Sequence, residues 1–321
     1  MLRLTRIPIE VAFTGAMVLV MLLLSARYAL PIRMPSGSAA NVMGVQFLVP
    51  LLSIGVWLIG ATIVNRKVSP WRPLLALACY AIVLVVHFNL KLWVPFVRTT
   101  SYDPVLWQTD QFARPVVDAC KTIRIAIRPL LRPWSSIYLG SFLAMFYISF
   151  GYHAIRTPDV FRKLFLATLF LQGMGAIGYL LFPAVGPFIY EAGTSATITH
   201  AQHDMLAVRQ MSIAAGPQWL SDNGSANLLA GLGAMPSLHA GFSFLFLWFA
   251  ARHGRPLLAT YIPIFAYIMI TAIASRWHYL IDLPAGIALA CLAIYLAHVA
   301  ERPRAPAREG GAMPSGEPLP A

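Results

Sequence analysis

The chain has 321 residues, 58% of them hydrophobic and only 11% charged, with a mean hydropathy of +0.68. An ordinary soluble domain carries about 25% charged and about 45–50% apolar residues, so this composition excludes a water-soluble globule and requires lipid around the surplus apolar surface. The formal net charge of +12 does not point to nucleic acid: the 24 lysines and arginines lie mostly between apolar runs, without the aromatic-interleaved basic stripe that single-strand binding needs.

A membrane-spanning helix takes about 20 mostly apolar residues. Runs of this kind predict helices near 10–30, 45–64, 73–92, 135–155, 162–182, 237–251, 257–274 and 283–300. The expected fold is therefore all-α, a polytopic membrane bundle of about eight transmembrane helices. The first run is read as a retained helix, because Arg27-Tyr28-Ala29-Leu30-Pro31 follows it in place of a small-residue cleavage site. Residues 1–72 hold the first two spans and 73–300 a single embedded domain.

Between the third and fourth runs lies the basic segment 93–134. Around 111–131 it is predicted to form an amphipathic helix in the interface, with Phe112, Val116, Ile123 and Ile127 on one side. Residues 183–235 are rich in Gly, Ser, Ala and Thr and have the length of a cap or substrate-contacting element. The sixth run is short and begins at Met235-Pro236-Ser237, dipping into the membrane surface. Residues 301–321, rich in Pro, Gly, Ala and Arg, are expected to be a disordered tail. Cys79, Cys120 and Cys291 show neither metal nor redox spacing.

Eight spans put both termini on one side, and charge selects the cytoplasm. The inside pieces then hold Arg3 and Arg6; Arg66, Lys67 and Arg72; Arg156, Arg162 and Lys163; Arg252 and Arg255; and Arg302, Arg304 and Arg308. The misfit is 93–134, whose cations an interfacial helix explains.

Two motifs carry chemistry. In Gly233-Ala234-Met235-Pro236-Ser237-Leu238-His239, small residues permit a sharp turn and Pro236 suits the first helical position. Ser237 then lies in a first turn whose free N–H groups suit a phosphate, and His239 projects from the same turn. In Ser275-Arg276-Trp277-His278-Tyr279-Leu280-Ile281-Asp282, helical spacing lets Asp282 accept from one ring nitrogen of His278 and leaves the other free. Arg276 adds a cation that pairs well with phosphate oxygens. Each motif alone is compatible with an ordinary helix start or a structural ion pair. Together, both opening outside-to-inside helices, they converge on a bound phosphate at the extracytoplasmic face.

With Pro236-Ser237-Leu238-His239 as its second signature and Ser275-Arg276 followed by His278 and Asp282 as its third, the sequence resembles the type 2 phosphatidic acid phosphatase superfamily. In the phosphatase branch five residues separate Arg from His in the third signature; here only Trp277 does. That spacing, with Phe182-Pro183-Ala184-Val185-Gly186-Pro187 closing a helix, looks more like the inositol phosphorylceramide synthase branch. The resemblance covers roughly 135–300 and implies a six-helix phosphatase-like core. It implies that His278 is a nucleophile forming a phosphohistidine, oriented by Asp282, and that His239 protonates the leaving oxygen. Ser237 and Arg276 would hold the phosphate, with no metal and no cofactor. The implied partners are a phospholipid or lipid phosphate and an alcohol or water acceptor, which leaves transferase and phosphatase both open.

The family's first signature, Lys-x6-Arg-Pro, occurs literally as Lys121 to Arg128-Pro129, two spans away from its usual place. It is either a chance match in an arginine-rich stretch or a pair of cations reaching the same phosphate. His200 and His203 with Asp204 read as a mobile polar loop, and His87, His153, His253 and His298 as structural. A transporter is disfavoured by the absence of a charge at any helix centre and of an inverted repeat. A metal-dependent CDP-alcohol phosphotransferase would need several aspartates on one helix, and the twelve acids are scattered.

Overall fold

In lipid, an apolar chain can satisfy its backbone internally only as helices or a closed barrel, and here it does so as helices. A computed structural model describes residues 7–48, 51–52, 55–56, 59–60, 71–131 and 137–301, with twelve α-helices and no strand among them. They are α1 (Ile9–Tyr28), α2 (Gly37–Met43), α3 (Trp71–Val97), α4 (Asp103–Phe112), α5 (Arg114–Leu131) and α6 (Ile137–Arg156). There follow α7 (Pro158–Leu181), α8 (Ala196–Ala215), α9 (Pro217–Asn223), α10 (Leu238–His253), α11 (Leu258–Ala274) and α12 (Asp282–Ala300).

Among the described residues, five stretches are long and apolar enough to cross a membrane: α1, Leu74–Val97 of α3, α7, Arg255–Ala274 through α11, and α12. The expected eight are not all of this kind. α6 is diluted by Ser141, Ser149, Tyr152 and His153. α10 has 16 residues, a length of about 24 Å against a hydrocarbon core of about 30 Å. Half of the predicted span at 45–64 lies outside the described residues, as do Arg3, Arg6, Arg66, Lys67, Arg302, Arg304, Arg308 and the tail beyond Glu301.

α7 is the central helix, buried along nearly its whole length and packed against α3 on one side and α12 on another. α6 and α10 run parallel and interlock through aromatic rings at i, i+4 spacing. Phe142, Phe146 and Phe150 of α6 meet Phe242 and Phe246 of α10, with Phe146 and Phe246 centroids 5.3 Å apart. One end of the bundle is fastened by Arg162, which takes Glu10 at 3.1 Å and Glu301 at 2.8 Å and so joins α1, α7 and α12. The other end holds both sequence motifs.

α5 is amphipathic, with Val117 and Cys120 packed towards Ala272 and Ile273 of α11. The adjoining side leaves Val116 and Ile123 exposed, beside Phe112 at 94% exposure, and Ile127 half-buried. The 183–235 stretch is not a loop throughout: it folds into α8 and α9. His200 and His203 are therefore exposed residues of a helix rather than of a mobile loop.

Candidate active site

α10 and α12 enter the site together because glycines let their first turns touch. A Cβ on Gly286 would lie 2.0 Å from the Ser237 carbonyl oxygen, and one on Gly241 would lie 2.8 Å from the Gly286 oxygen. At that approach the Ser237 N–H donates to the Asp282 carbonyl at 3.0 Å. Helix α10 begins at Leu238, so Pro236 precedes the helix and Ser237 is its N-cap. The Ser237 side chain is fully buried and accepts from the Ala240 N–H at 3.4 Å. That hydroxyl thus serves the helix start, where a phosphate-binding role had been expected.

His278 and Asp282 also differ in local structure from the helical expectation. His278 lies in the non-helical turn 275–281, and Asp282 opens α12. The Nδ1 of His278 is 3.4 Å from Asp282 Oδ2 but 2.8 Å from the Ala234 carbonyl oxygen. A carbonyl can only accept, so Nδ1 carries the proton and the neutral ring presents an unprotonated Nε2. Asp282 Oδ2 meanwhile accepts from the Tyr279 N–H at 2.8 Å and shapes the turn that displays His278.

His239 and His278 face the same cavity of about 300 Å³, with ring centroids 6.5 Å apart. The His239 ring is braced by Phe142 at 4.8 Å and Tyr138 at 5.3 Å. The structure therefore brings the two motif histidines together, with Asp282 behind one of them.

The other expected phosphate ligands stand elsewhere. Arg276 is fully buried, with its Nη2 2.8 Å from Asp110 Oδ2, its Nε 3.5 Å from Glu191 Oε2 and its guanidinium 5.4 Å from the Trp107 ring centroid. It adopts φ +60° and is not among the residues lining the cavity. Lys121 pairs with Glu191, which Arg114 also grips at 2.7 and 3.0 Å. Burial pushes the Glu191 carboxyl up, but its bonds to Arg114 and Lys121 prevail and hold it at about 2. Arg128 lines a separate surface hollow with Thr199, His200 and His203.

Helix α4 clamps the His278 turn from outside. Asp110 accepts the Leu280 N–H at 2.8 Å besides Arg276, and Asp103 accepts the Tyr279 hydroxyl at 2.7 Å. Asp103 also takes the Val185 and Gly186 N–H groups at 2.8 and 2.9 Å, tying in the segment after α7. Burial, and then Asp103, push the Tyr279 phenol up.

Sequence reasoning missed the rest of the cavity wall. Lys91 lines it from α3, with Nζ 5.0 Å from the Tyr179 ring centroid and no carboxylate in ion-pair distance among the described residues. His87, set aside as structural, lines it one turn away. A signal existed: Lys91 and Arg98 repeat the Lys-x6-Arg spacing without the following proline. Among the described residues no group of three His, Cys, Asp or Glu side chains is placed to hold a metal.

Compared with known proteins, residues 124–296, more than half of the chain, match a family model described as the PAP2 superfamily. No curated protein and no solved structure matches.

Proposed function

Because the chain belongs to the PAP2 superfamily of lipid phosphate phosphatases and phosphotransferases, we propose that it is a membrane-embedded lipid phosphotransferase working through a phosphohistidine. The observation that carries this reading is the pair His239 and His278, from two separate motifs, facing one cavity at 6.5 Å.

The free Nε2 of His278 attacks the donor phosphorus, and the bond to the leaving oxygen breaks as His239 gives that oxygen a proton. Asp282, 3.4 Å from Nδ1, offsets the charge that the ring gains. In the second half an alcohol gives its proton to His239 and its oxygen to phosphorus, and the bond to His278 breaks. Lys91 supplies the cation for the phosphate oxygens, the role that the resemblance assigns to Arg276. Arg276 already has Asp110 as its partner.

The short Arg276-Trp277-His278 spacing favours transfer over hydrolysis and an affinity with the inositol phosphorylceramide synthase branch. Sidedness follows from charge. Arg156, Arg162, Lys163, Arg252 and Arg255 gather at the end opposite the histidines, which favours an extracytoplasmic site and cytoplasmic termini.

Product analysis tests the reaction. Purified protein with a phospholipid labelled in its headgroup should yield a new labelled lipid when ceramide or another lipid alcohol is added. Water-soluble labelled headgroup phosphate alone, whatever alcohol is present, would make the protein a hydrolase instead.

A further inference from the structure

Helix α4 buries the wrong residues for a helix that merely covers a site. Its buried face is Asp103, Leu106 and Asp110, one stripe over two turns, while Val105 and Phe112 stand exposed. A buried carboxylate is costly unless its partners are in place. Here those partners belong to the turn that carries His278 and to the segment beside it. Residues 103–112 precede the stretch matched to the family, so membership assigns them no role.

Asp110 spans the turn with its two oxygens. Oδ2 takes the Arg276 Nη2 and Oδ1 takes the Leu280 N–H, each at 2.8 Å. These residues stand two before and two after His278, and Asp110 and Arg276 are both fully buried. The turn needs such a grip, because Arg276 adopts φ +60°, a left-handed conformation unfavourable to any residue with a Cβ. Trp107, on the same helix, lies against the Arg276 guanidinium, its ring centroid 5.4 Å away. Asp103 anchors the other end of α4. It receives the Tyr279 hydroxyl at 2.7 Å and the Val185 and Gly186 N–H groups at 2.8 and 2.9 Å.

A buried ion pair is a poor source of stability, since apolar residues of similar volume often serve as well. What this one supplies is a single geometry. The Ala234 carbonyl sets the His278 ring, and Asp110 sets the backbone on either side of it. We propose that Asp110 is a positioning residue for His278, holding the turn so that Nε2 stays aimed at the donor phosphorus. Asp110 does not line the cavity and touches no substrate itself. This role rests on reading His278 as the nucleophile.

Asp110→Ala, Asp110→Asn and Asp110→Glu separate positioning from stability. Each is measured in the purified full chain by transfer from headgroup-labelled phospholipid to ceramide, and by hydrogen exchange of the peptide spanning 275–281. Asp110→Ala should lower kcat by about 10- to 100-fold, the loss that a misplacement of about 1 Å brings. KM should stay within about twofold of wild type, because substrate contacts are untouched. Exchange should quicken in 275–281 and not in the buried helix α7. Asp110→Glu keeps the charge and should regain most of kcat. Asp110→Asn keeps an acceptor for Leu280 but no charge for Arg276, and should fall below Asp110→Glu. Wild-type kcat in Asp110→Ala, or exchange that rises as much in α7 as in the turn, overturns the positioning role. If Asp110→Ala does not fold, equal kcat in the Asn and Glu variants overturns it instead. Faster exchange confined to the turn, in a protein that transfers nothing, would contradict the enzymatic reading and leave Asp110 as the residue that holds the turn.

Discussion

A histidine whose Nδ1 donates to a carbonyl is held in one tautomer, and this simple constraint governs what His278 can do. Its Nε2 is the free nitrogen of the pair, while His239 sits among aromatic rings that hold its plane. His278→Ala and His239→Ala should therefore each lower turnover by about 10²-fold or more, with membrane insertion and melting temperature retained. Near-wild-type activity in either would refute the mechanism. Asp282→Asn should be severe but less complete, because the Ala234 carbonyl, nearer at 2.8 Å, still fixes the ring. Glu191 makes a different prediction. Its folded pKa of about 2 lies below the ordinary 4.5, so its ion pairs stabilise the protein above about 4.5 and lose this effect as pH falls towards 2. Melting curves of Glu191→Gln should lie below wild type at pH 7 and converge with it across that acid window.

The pairing of α10 with α12 decides whether two histidines from distant motifs can share a phosphate. Gly286→Ala must push apart the first turns of these helices, because the new methyl would lie 2.0 Å from the Ser237 carbonyl oxygen. Overpacking of this kind costs about 1–3 kcal/mol, and kcat should fall along with stability. Gly140→Ala, where nothing lies within 4 Å, serves as the neutral control. The sequence makes this pairing legible, since hydropathy places both helix starts at one end and residue chemistry marks both as phosphate sites. It leaves the α4 clamp hidden: Asp103 and Asp110 belong to no motif, and their bonds to Tyr279 and Arg276 cross long sequence separations that no local pattern reports. The contacts of Ser237 with the start of α10 and of Arg276 with Asp110 are hidden for a related reason. A residue type suited to phosphate is equally suited to a helix cap or a buried carboxylate, and only the fold decides between them. Lys91 was obscured by the literal Lys121 to Arg128 match, although a lone cation in an apolar helix is the stronger physical signal.

At the scale of the whole molecule, the bundle has a fastened end and a chemical end. Arg162 with Glu10 and Glu301 closes the first, and the histidine cavity, lined in part by α8 and by the 275–281 turn that α4 clamps, occupies the second. Sidedness is testable with a cysteine at exposed Asp222 of α9 and another at exposed Arg255, after Cys79, Cys120 and Cys291 are replaced. An impermeant thiol reagent should label only the Asp222 position in intact cells, and labelling only at Arg255 would invert the topology. The central claim is a covalent bond between His278 and the donor phosphorus. It is tested most directly by rapidly quenching the protein with a phosphorus-labelled phospholipid donor and mapping the label by peptide mass spectrometry. An acid-labile label is expected on the peptide carrying His278, present in wild type and lost in His278→Ala. Turnover without label on His278, or a label on any other residue, would contradict it.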